Sequence, residues 1–145
     1  MKSKSLCFLV FNEQDNLKYF KSKIQDTIQN LKFDSLFAID NSNDGSKEIL
    51  KEMNVEVIDQ TIDGRGGAII QAISHCKTDY LILFSPDGNE NIEDLLKFIE
   101  IIDENNFDLI IASRMRKDSV NEEDENFFKP RKIANNFFNF VANLF

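Results

Sequence analysis

Five short apolar runs constrain this 145-residue chain more than any other feature, because each is cut off by a polar or glycine-rich cluster and four are followed by a helical pattern. The clearest is residues 80–84 (YLILF), which stop at Ser85, Pro86, Asp87 and Gly88. Five consecutive apolar residues are too few for an ordinary helix and show no alternation, which predicts a strand covered on both faces, as in the centre of a parallel sheet. Pro86 and Gly88 end the ladder and leave Asp87 in a loop at the strand's carboxyl end, where open α/β sheets bind ligands. Asp87 is therefore the first candidate for function, with a plain Asp-Gly turn as the alternative.

The other runs repeat the pattern. Residues 5–11 (SLCFLVF) predict a first strand, and Asn12-Glu13-Gln14-Asp15 offers an N-cap with an acid three residues later. Leu17, Phe20, Ile24, Ile28 and Leu31 then recur at helical spacing. Residues 35–40 (SLFAID) predict a second strand with Asp40 at its carboxyl end, and residues 41–45 (NSNDG) a turn before a short helix through Ile49, Leu50 and Met53. Residues 55–59 predict a third strand. The glycine loop Gly64-Arg65-Gly66-Gly67 then leads into a helix bearing Ala68, Ile69, Ala72, Ile73 and Cys76. That loop either holds a phosphate on its N–H groups, assisted by Arg65, or simply makes a tight turn. It does not match a dinucleotide fingerprint, since Ile69 takes the place of the last glycine, and it lacks the Lys-Ser/Thr ending of a P-loop.

Asn91, with Asp94 three residues on, predicts the N-cap of a helix reaching about Glu104. Residues 108–112 (DLIIA) predict a fifth buried strand, residues 115–129 an acidic solvated loop, and residues 130–145 a terminal helix opened by Pro130 and carrying Ile133, Phe137, Phe140, Val141 and Leu144 on one side. The alternation predicts one α/β domain over residues 1–145, a three-layer α/β/α arrangement with a mainly parallel sheet and right-handed crossovers.

Composition removes several classes of function. Seventeen Lys and Arg against 25 Asp and Glu give a net charge of −8, which argues against a nucleic-acid binder relying on phosphate attraction. Cys7 and Cys76 lie in apolar segments without metal-site spacing, which suggests free thiols in a reducing compartment. No apolar run approaches the length needed to span a bilayer, and the first residues lead into a strand rather than a signal-peptide core, so a cytoplasmic location is expected. His75, the only histidine, is remote from any Ser or Cys nucleophile arrangement, which argues against a triad mechanism.

Five motifs, in order, resemble family 2 glycosyltransferases of the GT-A fold, especially the dolichol-phosphate or polyprenol-phosphate mannosyltransferase branch. Phe8-Leu-Val-Phe-Asn-Glu-Gln-Asp-Asn-Leu17 is similar to the opening strand and Asn-Glu signature, with Leu9 where Pro is usual and Phe11 where Tyr is usual. Asp40-Asn-Ser-Asn-Asp-Gly-Ser46 resembles the Asp-rich nucleotide-binding turn, one residue short, and Gly64-Arg-Gly-Gly-Ala68 the glycine turn before the third helix. Residues 79–89 resemble the strand leading to the Asp-X-Asp metal motif, with Ser85 in the place of the first Asp and Asp87 as the matching carboxylate. Ala112-Ser113-Arg114 resembles the Gly-Ser-Arg that ends the next strand.

The resemblance implies inverting transfer of a sugar from a nucleotide-diphospho-sugar to a polyprenol-phosphate-type acceptor, with Mg²⁺ or Mn²⁺ as cofactor. It places Asn12 and Glu13 near the nucleoside, Asp40 near its base, and Asn41, Arg65 and Gly66 in the nucleotide site. Asp87 would hold the metal, with Glu90 helping through water, and Asp87, Arg114 and Arg131 would make up the catalytic and phosphate-contacting set. The likeness covers the donor-binding part, so the chain is expected to be C-terminally short, to self-associate through its last helix, and to work in the cytoplasm or peripherally at the inner membrane face. The alternatives are a non-catalytic or truncated GT-A module that binds a nucleotide or a protein partner, and then a receiver-type acidic pocket. The last is disfavoured because the third strand leads into Gly64 rather than a phosphoacceptor Asp.

Overall fold

Apolar runs bounded by turn residues become strands when their backbone groups find a ladder, and four of the five do so. The computed structural model describes residues 2–112 together with Phe137 and Val141. The elements are β1 (Lys4–Val10), α1 (Gln14–Leu31), β2 (Ser35–Asp40), α2 (Ser46–Glu52), β3 (Glu56–Asp59), α3 (Gly64–His75), β4 (Tyr80–Phe84) and α4 (Asp94–Glu104). The sheet runs β3-β2-β1-β4 and every pair in it is parallel.

Parallel strands inside such a sheet are buried on both faces, which is why β1 reads as an unbroken apolar run: Leu6, Cys7 and Phe8 have no exposed surface. Cys7, Phe37 and Ile39 pack with Ala68 and Ala72 of α3 on one face. Alternation sends Leu6, Phe8 and Val10 to the other face, where the Phe8 ring meets Phe84 edge-on with centroids 5.9 Å apart. Burial pushes the Cys7 thiol up to about 12, so it stays protonated, and both cysteines are free.

The order of the strands positions the site. The chain steps from β1 to β2 to β3 in one direction, then crosses back through α3, which packs on β2 and β1, to lay β4 on the far side of β1. The direction therefore reverses between β1 and β4, and ligands of open α/β sheets bind outside the carboxyl ends at such a reversal.

Four expectations need correction. Residues 80–84 form a strand, but among the described residues β4 ends the strand order instead of lying at its centre, and Tyr80, Leu81 and Leu83 are only half-buried; an apolar run fixes what a strand can bury, not how many neighbours it finds. Residues 108–112 form no strand; they carry no ladder partner among the described residues, and Leu109 and Ile111 are 75% and 72% exposed. An apolar run supplies side chains for a strand but not the neighbour that satisfies its N–H and C=O groups. Asn12 and Asn91 are not the N-caps. Asn12 adopts left-handed φ 56 ahead of α1, whose cap position is Glu13. Asn91 accepts the Glu93 N–H at 3.1 Å and, through its carbonyl, the Asp94 N–H at 3.0 Å, and so closes a turn just before α4. The residues from Gly64 to Gly67 are the first turn of α3 rather than a loop before it.

By its internal contacts the chain divides into two compact units, Met1–Phe107 and Asp108–Phe145. Phe137 and Val141 are helical. Arg114, Arg131, the acidic stretch 115–129 and the rest of the helix expected over 130–145 lie outside the described residues. Among those described, no helix is long and apolar enough to cross a membrane.

Candidate functional site

Because all four strands are parallel, the residues after β1, at the end of β2 and after β4 reach the same edge of the sheet. The loops after β1 and β2 are joined there by four hydrogen bonds. Asn12 N–H donates to Ser42 Oγ at 2.8 Å, Asn43 N–H to Asn12 Oδ1 at 3.1 Å, Glu13 N–H to Ser46 Oγ at 3.0 Å, and Gln14 N–H to Asp44 Oδ2 at 3.0 Å. Three of these bonds satisfy N–H donors at the approach to and start of α1, which has no side-chain cap of its own. Residues 41–46 thus cap the preceding helix from across the edge. Glu13 also accepts from Asn16 Nδ2 at 2.7 Å.

Burial opposes ionisation of Asp44, but hydrogen bonds from the Ser46 hydroxyl and from the Gln14 and Ser46 N–H groups outweigh it and hold its pKa below the ordinary carboxylate value. A depressed folded-state pKa stabilises the fold above the unfolded pKa and ceases to do so as pH falls through the folded value. The Asp44 contribution is therefore expected to be constant from neutral pH to about 4 and to fade below it. Urea titrations from pH 6 to pH 2.5 should show wild type losing more stability than Asp44→Asn, and parallel curves would remove Asp44 from the account.

Asp40 sits at the expected edge, but its side chain is fully buried. It accepts the Ser42 N–H at 3.1 Å and the Ser42 hydroxyl at 2.5 Å, with Lys47 Nζ 3.8 Å away. It anchors the turn and presents no open surface to a ligand. Asn41 beside it is exposed, its N–H held by the Val10 carbonyl at 3.4 Å.

The second cluster lies beyond β4. Ser85 is buried and Pro86 fully so, which seats the loop on the core. Asp87 Oδ1 accepts the Asn89 N–H at 3.0 Å and Gly88 has φ 82, so Asp87 does make the turn that its Asp-Gly pairing suggests. Arg65, two-thirds exposed on the first turn of α3, donates from Nη2 to Ser85 Oγ at 3.2 Å and lies 3.6 Å from Glu90 Oε1. Glu90 Oε2 accepts the Ser85 N–H at 2.8 Å. Helix α3 and the β4 loop are thereby tied together through one cation, one hydroxyl and one carboxylate. Gly66 faces open space, whereas Gly67 is pressed against the Ile62 backbone.

Among the described residues, no group of three or more His, Cys, Asp or Glu side chains could hold a metal ion. A cleft of about 270 Å³ lies between α1 and the 86–92 loop, lined by Phe20, Ile24, Phe84, Pro86 and Ile92 with Lys23 and Glu90 at its polar side. Asn12, Glu13, Asp40, Asn41, Arg65, Gly66 and Asp87 do not line it, whereas Glu90, which reaches Ser85 and Arg65, does. The Glu90 contacts were the least readable part of the site, since an acid five residues beyond Ser85 follows no helical or strand period.

The family model for glycosyl transferase family 2 matches residues 5–142. The chain belongs to this family. Its described fold is similar to glucosyl-3-phosphoglycerate synthase from Mycobacterium tuberculosis, solved with Mn²⁺, UDP and glucosyl-3-phosphoglycerate: the TM-score is 0.59 at 16% identity, over 70% of this chain and 39% of that one. It is also similar to mannosyl-3-phosphoglycerate synthase from Rubrobacter xylanophilus, with a TM-score of 0.55 at 20% identity, over 65% of this chain and 34% of that one. This family 2 domain thus spans about two-fifths or less of the length of those structures, and the likeness supports the GT-A fold. The family match shows membership of glycosyl transferase family 2 and no branch within it.

Proposed function

We propose that this family 2 domain binds the nucleoside diphosphate of a sugar donor where β1 and β4 part, and serves inverting transfer to a phosphate-bearing acceptor, polyprenyl phosphate first among them. The observation that carries the reading is the strand-order reversal between β1 and β4, with Asn12 and Glu13 after one strand, Ser85 to Asp87 after the other, and Arg65 at the start of α3 between them. The N–H groups of the first α3 turn and the Arg65 guanidinium suit a diphosphate. An acceptor phosphate is already an anion and needs no strong general base, so the demand falls on charge at the leaving group.

Asp87 spends Oδ1 on Asn89 and is a single carboxylate. That donor set fits a Mg²⁺ or Mn²⁺ ion completed by diphosphate oxygens and water, since such ions keep much of their hydration. When bound, the ion would neutralise charge on the departing diphosphate. Titration calorimetry of UDP and GDP should therefore show tighter binding with Mn²⁺, and Asp87→Asn should cut that enhancement by about tenfold, or 1.4 kcal/mol. Equal enhancement in the variant would dispose of Asp87 as the metal ligand.

Polyprenyl phosphate is membrane-borne, which goes with a cytoplasmic domain at the inner membrane face and phosphate contacts from Arg114 and Arg131; self-association through residues 130–145 is part of the same proposal. Assays offering polyprenyl phosphate and 3-phosphoglycerate in parallel separate the acceptors, and light scattering reads the association. A second reading, a non-catalytic nucleotide-binding module, is favoured by Ser85 standing in the metal motif and being engaged by Arg65. Nucleotide binding with neither transfer nor donor hydrolysis would select it.

A further inference from the structure

We propose that Glu90 supplies the carboxylate that residue 85 lacks, and that Arg65 neutralises it until a donor diphosphate draws the guanidinium away. The inference rests on the donor-site reading above and concerns the same site. Ser85 carries no charge, but its N–H is bonded to Glu90 Oε2 at 2.8 Å, so a carboxylate is held beside residue 85 although it comes from five residues along the chain. The other Glu90 oxygen is 3.6 Å from Arg65 Nη2, and the same guanidinium nitrogen donates to Ser85 Oγ at 3.2 Å. Arginine stays protonated at any working pH. With Arg65 in place Glu90 is compensated, and an approaching dication meets a like charge at contact range.

Arg65 is able to move. It stands on the first turn of α3 with its side chain 67% exposed, and Gly64 and Gly66 on either side leave open space around it. A diphosphate offers several charged oxygens, pairs of which a guanidinium fork can engage bidentately, and so competes well against one monodentate carboxylate. Once Arg65 has changed partners, the Glu90 carboxylate is left uncompensated, three residues from Asp87 in the same loop. Ion and nucleotide then bind cooperatively, each raising the affinity of the other by the same factor.

The test uses the whole chain with Mn²⁺ alone as the first probe, its free concentration read by electron paramagnetic resonance. Removing the guard should act without any nucleotide: Arg65→Ala is expected to bind Mn²⁺ about tenfold more tightly than wild type, and the double variant Arg65→Ala/Glu90→Gln should return to the wild-type value. Saturating UDP or GDP should raise wild-type Mn²⁺ affinity, and Glu90→Gln should shrink that rise several-fold, to what Asp87 and the diphosphate oxygens supply alone, while metal-free nucleotide binding persists. Melting curves confirm that each variant is folded; Arg65 and Glu90 lie at the surface edge, and Glu90→Gln keeps an acceptor for the Ser85 N–H. A folded Arg65→Ala with unchanged Mn²⁺ affinity, or coupling intact in Glu90→Gln, overturns the proposal. If neither nucleotide binds any variant, the donor reading fails and the guard role falls with it, while the Mn²⁺-only comparison still decides whether Glu90 is a ligand.

Discussion

Phe8→Ala is expected to cost about 3–5 kcal/mol of folding stability, a large share of the roughly 5–15 kcal/mol that holds a domain together. Phe8 has no exposed surface and lies in β1, the strand that pairs with both β2 and β4. Its register partners are Ala38 on one side and Phe84 on the other. Ala38 is too small to fill the space that the ring would leave, and the edge-on contact with Phe84 would be lost with it. The cavity would open beside the two strands whose carboxyl ends lead to Asn12 and Ser85, so the proposed donor site should loosen along with the core. Urea unfolding followed by circular dichroism reads the effect. A loss below about 1 kcal/mol would mean that the sheet repacks around the gap, contrary to the close packing of interiors.

Much of this architecture was legible because parallel strands must be apolar on both faces and must end in something that stops the ladder. The run 35–40 became β2 with the same bounds, and 80–84 became β4. Where sequence reading went astray, the deciding partner was distant in the chain. Residues 108–112 look like a strand by composition, yet composition cannot provide a neighbour. Asn12 has the residue type of an N-cap, but its Oδ1 goes to the Asn43 N–H, 31 residues away, and Ser46 and Asp44 take over the donors of α1. The resemblance placed Asp40 near the nucleotide base, and the structure buries its side chain beneath Ser42. A nearer signal was present in Ser42, two residues on, where a hydroxyl and an N–H can both turn back onto an aspartate. The motif-level departure at Ser85 was visible at once; that Glu90 and Arg65 converge on it depends on how α3 crosses the sheet.

The adjacent glycines of α3 should separate fold from function. At Gly67 an added Cβ would lie 2.3 Å from the Ile62 carbonyl oxygen and 2.7 Å from its carbonyl carbon, both backbone atoms that no rotamer change can move. Gly67→Ala is expected to cost about 1–3 kcal/mol from this overlap, only partly offset by the roughly 0.8–1 kcal/mol that alanine gains over glycine inside a helix. At Gly66 an added Cβ meets nothing within 4 Å, so the helix preference acts alone and Gly66→Ala should raise Tm. That same open space is where a diphosphate would have to approach the first-turn N–H groups, and a methyl there would stand in its way. Gly66→Ala should therefore be more stable than wild type and bind UDP or GDP more weakly. Gly67→Ala should be less stable, and its affinity should fall only as far as the folded fraction does. If Gly66→Ala binds nucleotide as well as wild type does, the diphosphate does not pass over this turn, and Gly66 serves the helix and not the site.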